Sequence, residues 1–334
     1  MTGWTLQVIE PDGTAVATLN TLPGGSITMA VPDGSASPHR VAGLQIAGDL
    51  PDMRGRLLRD TWDGHTHIWL PARPAPRRLD ETDGVRTLSG VDLTGLLRAQ
   101  LPREEILAPG RDVADWVDHL LTRYAAPWRD LFRIHGVNTS VRSEQAFAAG
   151  SQLLAATVGP LTAAAMTAWQ PLPNGTVETH PWTPAAQRGP VATFGVAPDE
   201  SPFLAGWDDD PDDMGQQPNE VLAIIRAQGD LPQIVGRWAD EADIARVGQI
   251  TEVVPGTVEA TDQTAADMIA ARHAEEHVRP RRTLSFTGAF HPILPGQVAR
   301  VRWPRWGIDG VFEVTSKTVE RNVAADTTYT LREV

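Results

Sequence analysis

The residues best placed to do chemistry are His273, Glu276 and His277, in the run His273-Ala274-Glu275-Glu276-His277. Two histidines four apart share one face of a helix, and the spacing fits the H-x-x-E-H pattern of inverted zinc proteases. In such a site the imidazoles bind zinc, the glutamate activates water, and a distant acid completes the shell. Glu313 or Glu320 is available for that last role. The competing account is a helix end whose polar residues face water, with both histidines continuing the face of Ile269. A five-residue pattern in an acidic chain with nine histidines carries little information, so the solvated helix end is preferred.

Three other groups invite chemistry. His65-Thr66-His67 puts two rings on one side of a strand, but Asp63-Gly64 marks a hairpin turn and no third ligand is identifiable, so solvent-facing histidines are expected. The run Asp208-Asp209-Asp210-Pro211-Asp212-Asp213 fits no EF-hand frame, because Asp213 or Met214 falls where the pattern forbids it. It is expected at a loop tip. Among eleven tryptophans, Trp303 and Trp306 flank Pro304-Arg305 near a turn and are the expected exposed, interacting pair. Phosphate loops, G-x-S-x-G elbows and S-x-x-K motifs are absent. No catalytic residue, cofactor or resident metal is assigned.

The whole chain sets bounds on these readings. Its 334 residues suggest two or three domains, and 41% apolar against 21% charged residues suggests packed cores. Cysteine is absent, which removes thiol catalysis, disulfides and thiolate metal sites. A net charge of -13 argues against a general nucleic-acid-binding surface. Lys317 is the only lysine, so arginine carries nearly all the positive charge. No apolar run is long enough to span a bilayer, and Met1-Thr2-Gly3-Trp4 lacks the features of a signal peptide. Assembly in a cytoplasm is expected.

Short strands should position whatever site exists. Trp4 to Ile9, Ala15 to Leu19, Ser26 to Val31, Gly43 to Leu50, Arg54 to Trp69 and Val85 to Val91 alternate between turn signals, as in a small antiparallel barrel or sandwich. A helix is expected from Asp112, its N-cap, with Val113, Trp116, Val117, Leu120, Leu121 and Tyr124 on one stripe. A second is expected between Ser143 and Val158, stopped by Gly159-Pro160. Residues 171–217 read as long loops around one or two strands. Strands follow at Glu220 to Ala227 and Gln233 to Ala239, a helix at Asp262 to His277, and a closing meander at Gln297 to Trp303, Val311 to Val319 and Thr327 to Arg332. No internal repeat is evident.

Taken in order, these pieces resemble the tail-tip or baseplate hub family of tailed bacteriophages, of the minor-tail-protein type in phages of actinobacteria. The likeness runs through the opening strand, the Asp63-Gly64 unit with Ile68-Trp69-Leu70, and Leu88-Ser89-Gly90-Val91-Asp92-Leu93-Thr94-Gly95-Leu96-Leu97, where a first barrel hands over to a helix. Ala149 to Leu154 is similar to a helix start in that family. Pro218-Asn219-Glu220-Val221 with Ala227-Gln228-Gly229 and Ile244-Ala245-Arg246-Val247-Gly248 resemble two of its strands. Thr264 to Asp267 opens a helix, Pro292-Ile293-Leu294-Pro295-Gly296-Gln297-Val298 matches a turn, and Thr328 to Leu331 ends the meander.

The resemblance implies an α+β, mainly β protein, with two small tube-like antiparallel β-barrels joined to mixed α/β decoration and forming rings. It implies a barrel domain over residues 1–100, a helical and mixed insertion over 101–185, and a second barrel over 186–334 interrupted at about 240–290. The implied role is structural: a virion subunit at the tail tip, three copies closing into a ring between tail tube and tip. Its partners would be itself, the distal tail or tube protein, the tape-measure protein and the tip or receptor-binding proteins, with DNA passing without adhesion. Two other readings stay open from the residues alone. One is a zinc-dependent hydrolase using His273, Glu276 and His277; the other is a carbohydrate-binding tail module using exposed tryptophans.

Overall fold

The computed structural model describes residues 4–31, 39–72, 85–126, 128–135, 139–164, 167–195, 201–210, 217–226, 232–255, 260, 262–278, 282–322 and 324–334. Seven strands come first: β1 (Thr5–Ile9), β2 (Ala15–Thr21), β3 (Ser26–Ala30), β4 (Arg40–Ala47), β5 (Leu57–Trp62), β6 (His65–Pro71) and β7 (Val85–Val91). Six of them close a ring of antiparallel pairs in the order β2-β1-β5-β6-β7-β4 and back to β2. Alternation explains the closure, because Leu6, Val8, Leu44, Ile46, Leu58, Trp69 and Leu88 point inward and are almost fully buried. Asp63 and Gly64 both take positive φ, 46° and 79°, which is the turn that joins β5 to β6 with the right twist. β3 stands outside the ring, where one of its edges pairs with β4.

Asp92 ends the barrel. Its side chain accepts the Thr94 N–H at 2.9 Å to cap a 3-10 helix, Leu93–Arg98, and the His39 N–H at 2.7 Å. β8 (Glu105–Leu107) then leads into α1 (Val113–Tyr124), capped by Asp112 as expected. After β9 (Phe132–Arg133), β10 (Gln145–Phe147) leads into α2 (Leu153–Ala164). The second helix thus begins some ten residues later than expected, since Gln145 to Phe147 pair with β8 instead.

The two strand-turn-helix units are a repeat offset by 40 residues, which inspection of the sequence misses. Val113 N donates to Thr139 O at 2.9 Å and Leu153 N to Ala99 O at 2.8 Å; Gly110 N donates to Val141 O and Gly150 N to Leu101 O. Each unit therefore supplies to the other the contact that it receives. Few residue types are shared, among them Gly110 and Gly150, both at positive φ. β11 (Thr167–Pro171) and β12 (Val177–Pro181) form a hairpin that β9 joins in parallel, and this part packs around Leu101, Leu107, Trp116, Leu120, Phe132, Leu153 and Trp169.

Residues 171–217 hold more strand than expected: besides β12 they contain β13 (Ala192–Gly195) and β14 (Ser201–Asp210). A small three-stranded sheet follows from β15 (Glu220–Ile225), β16 (Ile234–Ala239) and, after α3 (Glu241–Val247), β17 (Thr251–Val253). Ile244 to Val247 is helical rather than extended, with Gly248 ending the helix at positive φ, because Asp240 accepts the Asp243 N–H and Glu241 and Asp243 suit a helix start. α4 (Gln263–His273) lies on this sheet so closely that a Cβ at Gly236 would stand 2.0 Å from the Ala266 carbonyl oxygen.

The last strands are β18 (Thr283–Gly288), β19 (Val298–Trp303), β20 (Ile308–Glu320) and β21 (Thr327–Glu333). Pairing runs β13-β14-β18-β21-β20-β19 and returns to β13, with β13 parallel to both its neighbours. Phe194, Phe286, Phe312, Val314, Tyr329 and Leu331 form its core. β20 serves two partners along one edge. Its first half pairs with β19 and its second half, Ser316–Glu320, with β3, so one continuous sheet of thirteen strands results. A bulge between Val314 and Ser316 marks the change of partner.

Candidate functional site

The histidine run lies where α4 ends. Asp262 caps the helix by accepting the Ala265 N–H, and the backbone widens into a π-helical turn over Ala274–Val278. The rings of His273 and His277 are 4.8 Å apart, so the helix does bring them together. Their other neighbours are occupied. His273 Nε2 lies 2.8 Å from Glu252 Oε1 on β17, and Glu276 Oε1 accepts from Arg272 Nε at 2.8 Å. Glu313 is buried on β20, where it accepts from Arg188 Nη1 at 2.9 Å and Arg332 Nη2 at 2.8 Å. Glu320 is the last residue of that strand, seven positions further on and paired with Ser26. Among the described residues no group of three or more His, Asp or Glu side chains is arranged to hold a metal ion.

Trp303 and Trp306 meet edge to face, 6.2 Å between centroids, across the short turn joining β19 to β20, and Trp306 is 52% exposed. Asp208 to Asp210 belong to β14, paired with Ser285, Leu284 and Thr283, and not to a loop tip; the rest of the acidic run lies outside the described residues. His67 also departs from expectation. Its ring is buried inside the barrel, parallel to Trp69 at 5.8 Å, because His67 shares the inner face with Trp69. His65 packs beside Phe290 at 4.6 Å.

The sequence reading missed a polar cluster where β20 meets the barrel. Arg321, just past β20, grips Asp60 of β5 with two hydrogen bonds, Nε to Oδ2 at 3.1 Å and Nη2 to Oδ1 at 3.2 Å, and both side chains are buried. Its guanidinium also lies 4.8 Å from the ring of Trp4, which stacks on Trp62. Burial raises the Asp60 carboxyl above its ordinary value, while Arg321 pulls the other way.

Lys317, four residues earlier, is 2% exposed. Its ammonium donates to the His291 carbonyl at 3.2 Å and sits over the Phe290 ring at 4.9 Å. Burial holds it down to about 7. Burial, with Lys317 close by, holds His39 and His67 down to about 3, and the same two causes lower His291. The detectable signal was the only lysine of the chain standing two residues before Val319, where strand alternation demands an inward side chain.

No protein-family model matches this sequence, and no curated protein matches it. Solved structures do. The tail protein from Neisseria meningitidis MC58 superimposes with a TM-score of 0.67 at 19% identity, over 99% of this chain and 97% of that one. The 43 kDa tail protein of prophage MuSo2 from Shewanella oneidensis gives 0.63 at 10% identity, over 99% and 98%. An E. coli type VI secretion component, described as structurally similar to the T4 tail proteins gp27 and gp5, gives 0.56 at 10% identity, over 95% of this chain and 74% of that one. The chain has the fold of these proteins from end to end.

Proposed function

We propose that this chain is a non-enzymatic structural hub of a phage-type tail tip, three copies of which close into a ring between the tail tube and the tip. The observation that carries the reading is a tail-protein fold shared over 99% of the chain. The cyclic pairing of β13, β14, β18, β21, β20 and β19 is taken as a second tube-like barrel beside the closed one, with the mixed part at 101–185 between the two and the unit from β15 to α4 inserted in the second barrel between β14 and β18. Two barrels in each of three subunits would present six similar units to a sixfold tube and three to a threefold tip. Closed sheets leave few free edges within each unit, so contacts between copies fall on rims and loops.

Partners in this role are a second and third copy, the distal tail or tube protein, the tape-measure protein, and tip or receptor-binding proteins. The net charge of -13 suits a lumen that DNA passes without sticking. The site of action is the virion tail tip, reached after assembly in the host cytoplasm. The likeness to a type VI component favours a related reading, the same ring in a contractile injection machine.

Native mass spectra over a range of concentrations test the proposal. A metal-free trimer, three times 36.2 kDa, is expected. A monomer carrying one zinc would replace the hub by the hydrolase of His273, Glu276 and His277. A monomer that forms no ring even with its tube protein would reject the hub outright.

A further inference from the structure

The cluster around Lys317 joins two halves of the molecule through four basic side chains and, among the described residues, no spare acid. Lys317 stands on β20 opposite Met29 of β3, on the face that runs from Val314 in one core to Val319 in the other. His39 approaches from the start of β4, and its ring reaches the Ala30 carbonyl. His67 approaches from β6, with His65 two residues before it. His291 comes from the loop after β18; its Nδ1 accepts the Ile293 N–H at 3.1 Å, so a proton there would break that bond. Tyr329 of β21, paired with Lys317, is a neutral phenol that donates to Ala289 O and accepts the His291 N–H.

Two buried carboxylates stand near, and both are engaged. Asp60 is held at both oxygens by Arg321, and Asp92 receives the N–H groups of His39 and Thr94. A proton added to any of the histidines therefore meets no uncommitted counter-charge among the described residues.

We propose that the junction of β3 with β20 is an acid-labile joint, which loosens the N-terminal barrel from the C-terminal sheet when its buried histidines take up protons. In the closed joint His39 and His67 are neutral down to about pH 3, whereas in the opened joint they titrate near the ordinary value of 6.5. Opening thus takes up protons and is favoured as pH falls below 6.5, by about tenfold per pH unit for each histidine released. Burial acts oppositely on Asp60 and Asp92, whose raised carboxyls favour the closed form in acid. That contribution is common to wild type and histidine variants, so a comparison of slopes isolates the histidines. The joint does not depend on the hub reading.

Hydrogen exchange of the full chain between pH 6.5 and 5, corrected for intrinsic exchange chemistry, tests it in β3, the second half of β20, and α4 as a distant reference. Exchange in β3 and β20 should steepen with acid while α4 lags. His67→Gln should flatten the slope by about tenfold per pH unit. His39→Gln should do the same, and supplies the test if the first variant fails to fold. Unchanged slopes in the variants, or an equal slope in α4, would overturn the proposal.

Discussion

The indole N–H of Trp116 donates to the carbonyl of Ala156 at 3.0 Å, and Ala156 is the residue whose helical acceptor Pro160 cannot use. A proline inside a helix removes one i to i−4 hydrogen bond, here the bond from position 160 to position 156. α1 thereby repairs the defect in α2. Trp116→Phe keeps a smaller aromatic ring and loses the donor; the lost hydrogen bond should cost about 1–2 kcal/mol in chemical denaturation, on top of the void the smaller ring leaves. In a Pro160→Ala background the backbone N–H returns, and the same change should cost about 1 kcal/mol less.

Asp60 and Arg321 form a buried pair whose members need one another. Asp60→Ala leaves an arginine charge without compensation and should destabilise by about 3–5 kcal/mol. Replacing both, Asp60→Leu with Arg321→Met, should recover most of that loss. Urea unfolding of the two single variants and the double variant measures the difference.

Lys317 has the opposite character, since the fold holds its ammonium near 7 against 10.5 for an ordinary lysine. The folded state gives up that proton more readily than the unfolded one. Stability is therefore lost as pH falls from 10.5 to 7, with no further loss from this group below that. Lys317→Met should stabilise the protein at pH 7 by about 2–4 kcal/mol, with the gain vanishing towards pH 10.5. Thermal melts of both proteins across that range would show it.

Gly236 is where α4 touches its sheet. A methyl group there would meet backbone and not a movable side chain, since Ala266 O stands 2.0 Å away. Gly236→Ala should cost about 3 kcal/mol and raise hydrogen exchange in α4.

Much of the architecture is legible in local sequence chemistry. The alternation of Leu6 and Val8, the Asp63-Gly64 turn, the Asp112 cap with its Trp116 stripe, and the final meander all stand where that chemistry places them. What escaped was decided by long-range contacts. Ser143 to Phe147 has helical character, yet β8 captures Gln145 to Phe147 as a strand. α3 spans seven residues, too few to display a period. Proline and acid at residues 171–217 mask strands held by distant partners, β19 for β13 and β18 for β14.

The candidate site was less legible than the fold. His273 and His277 do share a helix face, as the spacing requires, and Arg272 holds Glu276 at i,i+4 spacing, but the carboxylate that engages His273, Glu252 of β17, comes from packing. Lysine and histidine count as surface residues in any binary pattern. Strand alternation turns Lys317 inward with Val319 and His67 inward with Trp69, but that these side chains and His39 converge on one cluster is set by long-range pairing.

The partner of β3 also sets an order of events during synthesis. Thr28 and Thr318, facing each other across β3 and β20, are separated by 290 positions in the chain. A ribosome adding about 5–20 residues per second needs about 15–60 s to cover that distance. For that interval β3 has one edge without its mate, and Asp60 waits inside the barrel for an arginine not yet made. The nascent chain therefore passes through a stage with an open strand edge and an unmatched buried acid. Chaperones, or the speed of translation itself, have their opportunity to act on this protein then.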